Sequence, residues 1–155
     1  MLKTYNPNDC IANIKFKTIQ EAAFNKSTPT LAQVKNQAGN NFISGMLKAW
    51  ILYLNDILNL KRPMTDSQIT LATSLILQDY YSLRFADLEV LFRNIITGKY
   101  GSFFESLQID KLMKLFENYW EERCELSASS NNSKHIEFNQ NLDELGTDRK
   151  SKRRS

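Results

Sequence analysis

A chain of 155 residues with 42% hydrophobic and 24% charged side chains has the length and make-up of one ordinary globular domain. Five glycines and three prolines exclude a collagen-like, Gly-rich or Pro-rich chain. Two cysteines and one histidine exclude a zinc finger, an iron–sulfur cluster or a disulfide framework, and a formal net charge of +3 is too mild to mark a nucleic-acid protein by itself.

The N-terminal residues Met1 to Asp9 lack the apolar run of a signal peptide. The longest apolar run, Ala49 to Leu54, falls far short of the ~20 residues that span a bilayer. A cytoplasmic chain with no membrane role follows as the expectation, with Cys10 and Cys124 as reduced thiols. Over residues 9–25, Ile11, Ile14, Ile19, Ala22 and Ala23 fall on one helical stripe, with Asp9 as its cap behind Pro7. Thr28-Pro29 reads as an N-cap followed by proline at the first helical position, opening a short helix through Leu31 and Val34 that ends at Gly39. Asn41 to Leu60 is apolar on nearly all sides, which predicts the buried central helix, stopped by Pro63 after Lys61-Arg62.

Thr65-Asp66-Ser67-Gln68 fits a capping box, with Met64 and Ile69 placed as its hydrophobic staple. That helix runs through Ala72, Leu75, Ile76 and Tyr80. After a break near Ser82 another starts at about Phe85, with Leu88, Leu91, Phe92, Ile95 and Ile96 inward and Gly98 at its C-terminus. The last helix presents Ile109, Leu112, Met113, Phe116, Tyr119 and Trp120. No segment alternates with period two. The prediction is an all-α fold, a compact bundle of five or six helices over residues 1–126. Residues 127–155 open on Ser/Asn-rich sequence and close on a basic cluster; with too few apolar residues to offset ordering, they read as a disordered basic tail.

Catalytic chemistry finds little footing. His135 lies in the expected tail, where nothing holds a partner at hydrogen-bond distance. Consecutive Glu121 and Glu122 face different directions on a helix, and with Glu125 they read as a solvated face. Neither a Walker-type nor a dinucleotide-binding glycine motif is present. The expectation is a protein that is not an enzyme and uses no cofactor and no metal. Gly98-Lys99-Tyr100-Gly101 is the one loop with recognition chemistry: amides and a lysine for a phosphate, an aromatic for a base. Its spacing matches the Gly-x-x-Gly loop of the KH fold, which needs a β-sheet that this sequence does not predict. A glycine C-cap and tight turn, with Tyr100 packed on the last helix, is the plainer reading. Lys61, Arg62 and Arg93 are candidates to join Lys99, and the second basic candidate is Arg149, Lys150, Lys152, Arg153 and Arg154. Leu31 to Gly39 resembles the start of a helix-turn-helix, but Lys35 stands where a small residue is usual and the next helix is apolar nearly throughout.

Four stretches carry a family resemblance: Leu54-Asn55-Asp56-Ile57-Leu58-Asn59-Leu60-Lys61, Met64-Thr65-Asp66-Ser67-Gln68-Ile69, the Gly98–Gly101 loop, and Tyr119-Trp120-Glu121-Glu122-Arg123. Over roughly residues 49–124 the chain resembles small helical proteins of phages and mobile elements of Bacteroides-type bacteria. The resemblance implies no particular activity and brings no catalytic residues. By architecture the chain is similar to phage helicase loader and inhibitor proteins, small helical domains with a flexible tail. Two expectations follow: a non-enzymatic replication accessory joining a replicative helicase or primosome to single-stranded DNA, or a protein-interaction module that acts on a host or element factor without nucleic acid.

Overall fold

The computed structural model describes the backbone of residues 6–13, 15–103 and 105–152, and side-chain surroundings as far as residue 131. It is all-α, with seven helices among the described residues: α1 (Pro7–Ala12), α2 (Ile19–Phe24), α3 (Leu31–Ala38), α4 (Asn40–Ile57), α5 (Asp66–Asp79), α6 (Phe85–Ile96) and α7 (Ile109–Lys152). No strand occurs among them, only two isolated bridges, Thr30 with Arg84 and Arg62 with Ser106. None of the described helices is long and apolar enough to cross a membrane.

The expected helix count of five or six becomes seven because the first predicted helix is two. Asn6, not Asp9, caps α1, its side chain accepting from the Asn8 amide at 2.9 Å. Asn13 closes α1 by donating to the Asp9 carbonyl from both its amide and its side chain, and Thr18 starts α2 by accepting from the Glu21 amide. Short polar side chains that bond the backbone favour helix ends over interiors; Ile14 lies outside the described residues. The cap of α3 is Thr30, two residues beyond the expected Thr28, in a reciprocal box with Gln33. The Pro29 carbonyl is thereby left to accept from the Phe85 amide at 3.0 Å.

α4 ends at Ile57 rather than Leu60 because Asn59 turns left-handed, φ 49°, a conformation asparagine tolerates. Buried Asn55 then closes the turn, donating to the Met64 carbonyl and accepting from the Met64 amide, each at 3.1 Å. The Thr65 capping box forms as expected, with the Gln68 amide on Thr65 Oγ1 and the Thr65 amide on Gln68 Oε1. Thr65→Ala is expected to lower stability by about 1 kcal/mol, read as a shifted urea midpoint with an unchanged slope.

α4 packs on α1, α3, α5 and α6, but the most enclosed helix is α6. Ten of the twelve residues of α6 are buried, whereas α4 leaves Leu52 and Ile57 about half exposed. α1, α2 and α4 all pack on α6. The core is built on aromatic rings: Trp50 of α4 meets Phe92 of α6 edge-on at 5.0 Å, and Phe92 meets Phe116 of α7 at 6.4 Å. The expectation that Phe92, Phe116 and Tyr119 are core residues holds, each being fully buried; Trp120 packs half-buried against them.

α7 does not stop at the expected boundary. Leu126 still packs on the core, and the helix runs on through Ser127, whose hydroxyl donates to the Arg123 carbonyl at 3.1 Å, to Lys152. Serine and asparagine are poor but admissible helix formers, and a helix already nucleated by the packed body extends at one hydrogen bond per residue. The reading of 127–155 as a tail falls, from residue 132 onward, on side chains outside the described residues.

Candidate functional site

The glycine loop resolves into a helix terminus whose amides are spent on itself. Gly98 takes φ 81°, its amide donates to the Ile95 carbonyl, and the Lys99 amide reaches back to Asn94 at 3.0 Å. These are the paired bonds of a Schellman C-cap. The Gly101 amide donates to the Gly98 carbonyl at 3.1 Å, so three of the four loop amides have partners inside the turn. Tyr100 packs against the core and its hydroxyl accepts from Asn94 at 3.5 Å. Burial raises its phenol above the ordinary value.

Lys61 and Arg62 stand exposed after α4, and both meet Glu105, at 3.2 and 3.5 Å. The Arg62 amide also donates to the Glu105 carbonyl at 2.9 Å, so the segment after the glycine loop is laid along these two cations, and its one carboxylate offsets one of the two charges. Arg93 is half-buried on α6, Lys99 is exposed. Arg149, Lys150 and Lys152 fall in the last turn of α7. Their side chains, together with Arg153, Arg154 and His135, lie outside the described residues.

The side-chain cluster that sequence reasoning missed joins α6 to α7. Asp87 is fully buried in the first turn of α6, where the helix dipole favours an anion. Oδ2 accepts from the Arg84 amide at 2.8 Å, and Oδ1 accepts from the Tyr119 hydroxyl at 2.8 Å and Arg123 Nε at 3.2 Å. The Arg123 guanidinium also lies 5.5 Å from the centre of the Trp120 ring. Burial and the Asp87 charge push the Tyr119 phenol far up, so it remains a donor throughout the ordinary pH range. A carboxylate with no solvent exposure and three protein donors on its oxygens is not presented to a substrate; the cluster fastens two helices. The spacing of Tyr119 to Arg123, i to i+4 on the last helix, was the available signal, but its partner lies 32 positions upstream of Tyr119.

One surface depression, of about 260 Å³, lies between α3 and α5 and is lined by Leu31, Ala32, Lys35, Asn36, Leu77 and Tyr81. Its frame is unusually well tied for a helix junction. The first amides of α3, those of Leu31 and Ala32, donate to the carbonyls of Leu83 and Tyr81 at 2.9 and 3.0 Å. Arg84 donates from Nη1 to the Thr28 carbonyl. Tyr81 is 57% exposed on the rim, with exposed Leu71 further along α5. Lys35 makes no ion pair among the described residues. Another depression, of about 190 Å³, lies beside the glycine loop among Leu58, Ile95, Ile96 and Phe103. No group of three or more His, Cys, Asp and Glu is gathered to hold a metal among the described residues.

No family model matches the chain, and neither does any curated protein or solved structure.

Proposed function

We propose that this protein works by binding rather than by catalysis, as an accessory whose helical body engages a protein partner through the groove between α3 and α5. The observation that carries the reading is that groove: apolar walls, a half-exposed Tyr81 and an unpaired Lys35 on a hydrogen-bonded frame. An amphipathic helix with an acidic side chain suits it, the apolar face against Leu77 and Tyr81 and the carboxylate toward Lys35. The test places a photo-crosslinking residue at Asn36 in the source cell. A nuclease-resistant protein adduct, absent with Tyr81→Ser, is expected; an adduct that nuclease removes would overturn the reading.

The five cations at positions 149–154 favour a second element, binding to nucleic-acid phosphates, which is the helicase or primosome adaptor form of the same reading. Lys61 and Arg62 share the single Glu105 carboxylate, so less positive charge stands there than in the basic end, which favours the basic end for that role. Truncation after Leu126 is therefore expected to weaken single-stranded DNA binding more than Lys99→Ala does. The salt slope should fall by about 0.7 for every phosphate that the shortened chain no longer neutralises. Equal affinity of full-length and truncated chains at low salt would remove the basic end from the mechanism.

A further inference from the structure

α1 is six residues long, too short to stay helical without tertiary support. Pro7 is the side chain it buries fully, with Cys10 and Ile11 half-buried against the core. It packs on α6 and α4, and on α6 stands Glu89, only 9% exposed. The Cys10 thiol donates a hydrogen bond to the Glu89 carboxyl, while Glu89 Oε2 is buried with no hydrogen-bond partner. A buried carboxylate served by one weak S–H donor is expensive, and the neutral acid far less so.

The charges around this pair do little to relieve it. Lys15, in the link from α1 to α2, acts on both groups but is exposed, so solvent screens it. Asp9 on α1 bears on Cys10 with the same sign as Glu89. On α2, Glu21 is engaged by the Lys17 amide at 2.9 Å. On α4, Lys48 is half-buried and Asp56 exposed; on α6 itself, Asp87 is committed to Tyr119 and Arg123.

We propose that α1 is a latch released by rising pH: it lies on α6 while the Glu89 carboxyl is protonated and lifts when that carboxyl ionises, with α2 to α7 staying folded. Undocking lets water reach the carboxylate, which is the differential interaction a switch needs. Burial raises the Glu89 carboxyl above its ordinary 4.5 and, with the Glu89 charge, raises the Cys10 thiol from 9.0 to about 11. Both are acids that hold their proton more tightly when docked. Docking is therefore strongest below pH 4.5, weakens as pH climbs through the raised value of Glu89, and weakens again between 9.0 and about 11 as the thiol ionises.

Hydrogen exchange on the full chain, corrected for intrinsic rates at each pH, tests this. Protection of the Cys10 and Asn13 amides, which donate to the Asn6 and Asp9 carbonyls, is expected to fall several-fold as pH rises from 4.5 through the raised value of Glu89, and then to level off until the thiol titrates. The α6 amides should keep theirs. Glu89→Gln should hold α1 protection level across that range, and Glu89→Leu serves as a second uncharged variant if Gln does not fold. The same pH profile in wild type and uncharged variant, a flat wild-type profile, or loss of α6 protection together with α1 would each overturn the latch.

Discussion

Asp87→Ala is expected to destabilise the protein by about 3–5 kcal/mol, the cost of removing one partner from a buried ion pair. The carboxylate has no solvent exposure, and its Arg123 partner has a side chain only 15% exposed. Removing it leaves a guanidinium and the Tyr119 hydroxyl without an acceptor inside the protein, and the Arg84 amide without its cap. Chemical denaturation by urea reads the change directly. Asp87→Asn keeps Oδ1 for Tyr119 and Arg123 but turns an N–H₂ toward the Arg84 amide, so it is expected to fall between wild type and alanine. Tyr119→Phe removes one donor and leaves two, and is expected to cost about 1–1.5 kcal/mol. Asp87→Leu combined with Arg123→Leu should recover part of the loss, because no unpaired charge remains. An alanine effect below about 1 kcal/mol would mean that water reaches the cluster.

Trp50→Ala is expected to cost a similar amount, about 3–5 kcal/mol, for a different reason. Here the loss is apolar area and the cavity left behind. Trp50 is fully buried and meets Phe92 at 5.0 Å and Phe85 at 6.3 Å, both edge-on. It is the side chain by which α4 holds the enclosed α6. Trp50→Phe should retain much of the packing and cost less. Trp120, the second tryptophan of the chain, keeps a fluorescence signal for following both variants. A near-neutral Trp50→Ala would instead make this ring a surface residue and would contradict the ring geometry.

The elements that the sequence determined alone are those built from neighbours. Thr65 and Gln68 are three positions apart, so their reciprocal bonds need nothing from the rest of the chain. The stop at Gly98 is likewise local, a left-handed residue that glycine adopts without cost. The apolar stripes of α5, α6 and α7 were legible because a 3.6-residue period is a property of the segment itself. Caps and ends went astray where two local solutions compete, as at Thr28 against Thr30. The α3 cap was decided by the Pro29 carbonyl and the Leu31 and Ala32 amides, all paired to the segment 81–85.

The tertiary structure alone decided which helix is most enclosed. α4 has the more apolar sequence and packs on α1, α3, α5 and α6, yet α6 is the more enclosed, because enclosure depends on how completely the neighbours cover a helix, not on its composition. It also decided the fate of the candidate loop, whose amides look available in sequence and are consumed within their own turn. The groove between α3 and α5, the Asp87 cluster and the meeting of Glu89 with α1 each join residues tens of positions apart. No periodicity or spacing records such a meeting. It exists only after the apolar faces have been buried against one another, and burial is what turns Asp87 and Glu89, two unremarked acidic residues of one helix, into a clamp and a latch.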